Sequence, residues 1–268
     1  MLKDITLGQF FPGESIVHRL DPRTKILLTI LYIAALFVAT GVVAYAIMLA
    51  VLVVCVALTR IRVQSIVKGL KPVVIIILFT AILNIFFTAG ETVLIQFWKI
   101  TITREGVVRA AYMILRIVML ITGTLLLTYT TSPIALTDAI ERLLSPLKAL
   151  RIPVHEFAMM MSLALRFIPT LIEETDKIMS AQKARGADFE SGGLIRKARA
   201  MLPLLVPLFI SAFRRADELA VAMESRCYHG DKGRTRMKQL HMAARDWIAL
   251  LLGLALLGGM IVLRVFGI

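Results

Sequence analysis

Apolar residues run almost unbroken from Ile26 to Leu58, relieved only by an occasional small polar residue. As one helix this stretch would be about 50 Å long at 1.5 Å per residue, well beyond the roughly 30 Å of hydrocarbon in a bilayer. Thr40-Gly41 is the natural break and predicts two short spans, at about 24–39 and 42–58, with one steeply tilted helix as the competing arrangement. Three more apolar blocks of spanning length follow, from about Pro72 to Thr88, Val107 to Thr131 and Trp247 to Phe266. Backbone groups in lipid must bond within their own segment, so each block reads as a helix, about five in all.

The stretch 132–246 has a different pattern. It holds much of the charge, yet long helical periodicities with apolar faces run through it, so it is neither loop nor linker. Pro133, Pro146 and Pro153 bracket a short amphipathic helix at about 134–144. A long helix is predicted from about His155 to Gly186, and a second from Leu194 or Leu202 to Cys227. Their first halves, FAMMMSLALRFIPTL and MLPLLVPLFISAF, are unusually apolar, and their second halves are charged. Each helix thus has one end suited to greasy surroundings and one suited to a soluble partner. The two also match at an offset of 41 residues: Asp176 with Asp217, Ala181 with Ala222, Arg185 with Arg226. Both therefore end in a small residue, an arginine and another small residue. The domain plan is 1–131 for the N-terminal segment and four spans, 132–246 for the charged helices, and 247–268 for the last span.

Charge orients the spans. Lys3, Arg19, Arg23 and Lys25 precede the first, and Arg60, Arg62, Lys68 and Lys71 lie between the second and third, so these segments are expected on the cytoplasmic side. The uncharged turn at Thr40-Gly41 falls outside, with the loop in which Glu91 and Glu105 offset Lys99 and Arg104. An even number of crossings then returns 132–246 to the cytoplasm.

Composition agrees: of 268 residues, 58% are hydrophobic and 18% charged, with a mean hydropathy of +0.81, far too apolar for a soluble domain. The net charge of +13 lies between apolar blocks and not on a basic arm interleaved with aromatics, so it speaks for positive-inside topology and against nucleic acid. Cys55 and Cys227 give neither a disulfide framework nor a metal spacing. The charged first 25 residues have no apolar core of a signal peptide and are expected to stay in the mature chain.

No phosphate-cradling G-x-x-x-x-G-K-[ST] loop and no H-E-x-x-H occur, and His18, His155, His229 and His241 lack ligand spacing. The chain cannot hydrolyse ATP by itself, and nothing recommends it as an enzyme. Several conspicuous residues have simple structural explanations. Asp21 and Pro22 suit the N-cap and first position of a helix, with Arg23 and Lys25 anchored in headgroups. Ala184-Arg185-Gly186 is a good helix end, since arginine suits the dipole and glycine the left-handed cap. Ser225-Arg226-Cys227 is explained less well, because cysteine is a poor left-handed residue. Arg116 lies within the fourth span, where a charge is costly, and is expected to bond polar groups such as Asn84 or Thr80. Met159, Met160 and Met161 are either core or an adaptable docking face.

LGQFFPGESIVHRLDPRTK, LLLTYTTSP, LALRFIPTLIEETDKIMSAQKARGADF and VPLFISAFRRADELAVAMESRCY, in this order over nearly the whole chain, resemble the transmembrane T component of energy-coupling factor transporters. The resemblance implies an all-α integral membrane protein with a cytoplasmic coupling-helix domain, in a bacterial or archaeal cytoplasmic membrane. It implies a non-catalytic subunit without a cofactor of its own, joining two ATPases that bind ATP to a substrate-capturing membrane subunit, the S component. Ala184, Arg185, Gly186, Ser225, Arg226 and Cys227 would then dock on the ATPases, the planar, permanently charged guanidinium being suited to gripping carboxylates. The S component would sit on the apolar helix halves, at Met159, Met160, Pro169, Pro203 and Pro207. One departure is Cys227, where the family usually has glycine.

Two other readings stand beside this one. Within the family, the chain could serve one dedicated cobalt, nickel or biotin system instead of several S components, although HRLDPRTK looks more like the shared type. In another class, a self-sufficient secondary transporter would predict broken helices with polar groups at mid-membrane, and these are missing. An intramembrane enzyme lacks any catalytic set.

Overall fold

The computed structural model describes residues 10–88, 92–97, 100–187, 189, 193–230 and 239–267. Pro22–Val38 (α1) and Gly41–Thr59 (α2) lie on either side of the expected break at Thr40. Val63–Leu70 (α3) continues through a single 3-10 turn, Lys71–Val73, into Val74–Phe87 (α4), so the third apolar block begins earlier than Pro72. Val93–Phe97 (β1) and Ile100–Thr103 (β2) form an antiparallel ribbon, and Arg104–Thr130 (α5) follows. Then come Pro133–Leu143 (α6), a 3-10 segment Ser145–Leu150, Val154–Ala184 (α7), Leu194–Glu224 (α8) and Ala244–Val265 (α9). Among the described residues the protein is thus all-α apart from one ribbon, which the apolar pattern did not predict. Glu91 and Lys99, used in the charge count for that loop, lie outside the described residues.

Two compact units hold the chain, one extending through Leu136 and resuming at Leu240, the other comprising Thr137–Gln239. In the first, α2, the run Val63–Phe87, α5 and α9 are each long and apolar enough to cross a membrane. α1, with 17 residues, is about 25 Å long and falls just short of a full crossing by itself. The outward faces of these helices are greasy: Ile75, Phe79, Leu251 and Leu252 are all well exposed. Only lipid makes such a surface tolerable.

The core of this unit forms where α1, α2, α5 and α9 meet, around Ala35, Leu36, Tyr45, Met48, Met119 and Met260. α1 runs against both α5 and α9. Glycine permits the close approach: a Cβ on Gly123 would lie 2.7 Å from the Tyr32 ring, and one on Gly253 2.7 Å from Leu28.

The start of α1 is held by a polar cluster. Asp21 caps the helix by accepting from the Arg23 amide at 2.9 Å, with Pro22 in the first turn, as its sequence foretold. Arg23 and Lys25, however, do not reach out to headgroups. The Arg23 guanidinium donates to the Asp21 carboxylate at 3.0 and 3.1 Å and to the Leu240 carbonyl at 3.0 Å. Lys25, only 5% exposed, donates to the carbonyls of His18 and Thr130, at 3.1 and 2.8 Å. A cation at the last carbonyl of α5 also suits the dipole of that helix. Asp246, 1% exposed, accepts from the Asp21 amide at 2.8 Å and the Ala243 amide at 2.9 Å, joining the beginnings of α1 and α9. Burial pushes the Asp21 carboxyl upward, but its bonds with Arg23 outweigh this and hold it below the ordinary range. The LLLTYTTSP run joins the same knot: the Tyr129 carbonyl accepts from the Phe11 amide at 3.0 Å, and the Tyr129 hydroxyl donates to the Ser65 carbonyl at 3.1 Å.

Arg116 bonds neither Asn84 nor Thr80. Its Nε donates to the Tyr45 hydroxyl at 2.7 Å, and its guanidinium carbon lies 5.7 Å from the Tyr45 ring centre and 5.9 Å from that of Phe37. Thr80 and Asn84 turn to nearby carbonyls, and Asn84 also to the Met113 sulfur.

Candidate coupling site

The second unit is built on α7 and α8, both 31 residues long and packed on each other. Of the two starts the periodicity allowed for α8, the observed one is Leu194. Pro169 lies inside α7, and Pro203 and Pro207 inside α8, each removing one donor from the helix ladder. Where the charged halves meet, the Glu174 carboxylate accepts from the Ser211 hydroxyl at 2.5 Å and from the Arg215 guanidinium at 3.1 Å. The Ser211 bond, then the Arg215 charge, hold Glu174 below the usual carboxylate range against the opposing effect of desolvation. Near the start of α7, His155 Nδ1 lies 2.9 Å from the Glu141 carboxylate, both side chains buried.

The ends of α7 and α8 are alike in hydrogen-bond detail. Past Arg185, Gly186 takes the left-handed conformation at φ 87°, its amide donating to Lys183 O at 3.0 Å while the Ala187 amide reaches back to Gln182 O at 3.0 Å. Past Arg226, Cys227 takes the left-handed conformation at φ 56°, its amide donating to Glu224 O at 2.8 Å while the Tyr228 amide reaches back to Met223 O at 3.0 Å. These are two copies of one Schellman cap, with the arginine at the equivalent position in each. The backbone after Arg226 is therefore the one a glycine would adopt, although the residue is cysteine. The cysteine holds it at some strain, since a side chain in this region costs about 1–2 kcal/mol.

Arg185 and Arg226 are both exposed, as are Ala184, Gly186, Ser225 and Cys227. Neither guanidinium has an ion pair or hydrogen bond among the described residues. Two helix ends thus each carry an exposed, permanently charged guanidinium, a group able to grip a carboxylate with two parallel bonds.

The apolar halves are bare. Along α8, Leu202, Leu205, Val206, Phe209, Ile210 and Phe213 are exposed, Phe213 by 69%, while Leu204 is buried. The methionine run at the start of α7 divides. Met160 and Met161 are exposed, whereas Met159 is half-buried and accepts the Tyr228 hydroxyl on its sulfur at 3.1 Å. Met159 therefore supports the segment behind Arg226, a link that spacing alone could not reveal.

Known proteins resemble this chain over most of its length. A family model described as cobalt transport protein (CbiQ) matches residues 13–237. An energy-coupling factor transporter transmembrane protein EcfT from Clostridium kluyveri is 55% identical over 257 residues, covering 96% of this chain and 95% of its own. The protein of that description from Thermosediminibacter oceani is 54% identical over 248 residues, with 92% and 93% covered. That from Bacillus subtilis is 49% identical over 246 residues, with the same coverage.

Proposed function

Because this chain belongs to the family of energy-coupling factor transporter transmembrane proteins, the T components of these importers, we propose that it transmits the motion of two cytosolic ABC-type ATPases to a substrate-capturing S component. The observation that carries this reading is the duplicated helix end, in which one cap geometry presents Arg185 and Arg226 in the same way. Two equivalent arginines suit two equivalent partners. Each would enter a groove on one ATPase, with Ala184 and Gly186, or Ser225 and Cys227, as its flanks. The exposed apolar face of α7 and α8, with Met159, Met160, Pro169, Pro203 and Pro207, would carry the S component. Closing of the ATPases on ATP would shift the helix ends and tip the S component, releasing its vitamin or other micronutrient inside. The chain itself needs no cofactor in this scheme and catalyses nothing; ATP belongs to its partners.

The protein is a multi-pass membrane protein. We place it in a bacterial or archaeal cytoplasmic membrane with the N-terminus and residues 132–246 on the cytoplasmic side, supported by the Lys/Arg asymmetry. On that topology an impermeant thiol reagent applied from outside modifies a cysteine placed at Thr92 and spares one placed at Ser180. The reverse labelling would overturn the orientation.

For the assembly, a tagged chain purified from detergent should bring down two ATPases and, for a T component shared among systems, several different S components. Recovery of a single S component dedicated to cobalt, nickel or biotin would favour the second reading, which the description of the family model keeps open. A well-folded chain that emerges alone and transports a substrate after reconstitution would leave a secondary transporter in place of both.

A further inference from the structure

Arg109 and Arg116 stand seven residues apart on α5, two turns on one face, and both line a cavity of about 380 Å³. Tyr45 of α2 and Tyr112 of α5 line it too, their ring centres 5.0 Å apart. Thr40 and Gly41 complete one wall. They open α2, whose first turn has no side-chain cap from Thr40, so its free amides and the positive end of its dipole lie at the same place. The bond from Arg116 Nε to Tyr45 fixes that guanidinium beside the Tyr45 and Phe37 rings, and its terminal amino groups have no hydrogen bond or ion pair among the described residues. One carboxylate, Glu105, also lines the cavity, and its Oε1 is engaged by the Thr92 hydroxyl at 2.6 Å. Two guanidinium groups against one carboxylate leave a net positive charge of one.

We propose that this cavity binds the phosphodiester of an anionic phospholipid headgroup carrying one net negative charge. The position along α5 selects lipid over a soluble anion. This helix of 27 residues is about 40 Å long, roughly 10 Å more than the hydrocarbon it crosses, so Arg109, one and a half turns from its start, lies at headgroup depth. Arg116 lies about 10 Å deeper, within reach of the same level for a long side chain that rises toward the interface. The neighbouring exposed residues, Val42 and Val43 on α2 and Val107 and Val108 on α5, give acyl chains an apolar wall beside the charged cavity. A phosphate there would add an anionic partner to the hydroxyl and rings that already hold Arg116.

The full-length chain in detergent, stripped of lipid and titrated with phosphatidylglycerol, phosphatidylcholine or inorganic phosphate while adducts are followed by native mass spectrometry, tests this. The parent should retain one phosphatidylglycerol in preference to phosphatidylcholine. Arg109→Ala, which truncates an exposed side chain, should weaken retention about tenfold, since a hydrogen-bonded charge is lost from an anion. Arg116→Lys, which keeps the charge and loses the fork, should weaken it as well, and folded Arg109→Ala protein keeps the test decisive if substitution at Arg116 harms folding. Equal retention of the two lipids, or of phosphatidylglycerol by parent and Arg109→Ala, would overturn the site. Displacement of the lipid by inorganic phosphate at equal concentration would overturn the lipid assignment.

Discussion

The Arg185→Ala, Arg226→Ala double variant should insert and fold nearly as well as the parent, yet lose its ATPases and all coupled transport. Both side chains are exposed at helix ends, and neither has an ion pair or hydrogen bond among the described residues, so their removal costs the fold only a dipole interaction, about 0.3–1 kcal/mol each. At an interface the balance reverses. Truncating one partner of a desolvated, hydrogen-bonded charge pair costs about 2–5 kcal/mol, because the other charge is left buried and unpaired. Each single variant should weaken one attachment, and the double variant should be worse than either. Cys227→Gly is the control: it keeps the arginine and relieves a left-handed side chain, so it should raise the thermal midpoint, by about 1 kcal/mol of stability, and leave assembly intact. Copurification, ATPase and uptake assays on reconstituted complexes read the result. Full transport by the double variant would remove both arginines from the coupling path.

The largest loss of stability should come from Asp246→Ala. That carboxylate is almost fully buried and satisfies two backbone amides, those of Asp21 and Ala243. Alanine leaves both unpaired, at about 1–3 kcal/mol each, so roughly 2–6 kcal/mol should be lost. Asn keeps one carbonyl oxygen and turns a donor toward the other amide, and should fall between. The neighbouring Asp21 carboxyl titrates below its usual range when folded, so its contribution is complete above the ordinary carboxylate pKa of about 4 and disappears as pH falls below it. At neutral pH the contribution of Asp21 is therefore complete. Thermal unfolding in detergent measures these differences, and an Asp246→Ala midpoint equal to that of the parent would show that the bonds contribute nothing net.

The membrane helices were legible because a crossing requires an uninterrupted apolar run, and few sequence patterns compete with that signal. The ribbon at 93–103 was not, since a short two-stranded element depends on its own turn and on the helices beside it. Arg23 and Lys25 were misread for a physical reason. A cation near the end of a span ordinarily reaches for headgroups, and nothing local reveals that the Leu240 and Thr130 carbonyls come within bonding distance. Arg116 was rightly expected to be internal, but its partner is set by which face of α5 turns toward α2, and that is a matter of packing. At the ends of α7 and α8 the exposed arginines and the Gly186 cap could be read directly. The matching geometry at Cys227 could not, because there the Tyr228 and Met223 backbone bond overrides the preference of the residue.

The bond between Asp21 and Asp246 spans 225 residues and so sets an order on synthesis. When α1 leaves the ribosome its capping amide has no carboxylate to meet, and the Leu240 carbonyl that receives Arg23 does not yet exist. The bundle stays open at that corner while every intervening helix is made, and only arrival of α9 closes it, at a loop-closure cost that grows only slowly with the length between. A chain halted before Leu240 would leave Arg23 short of one acceptor and the α1 face that packs on α9 uncovered, the kind of exposed apolar surface through which incomplete chains misassemble.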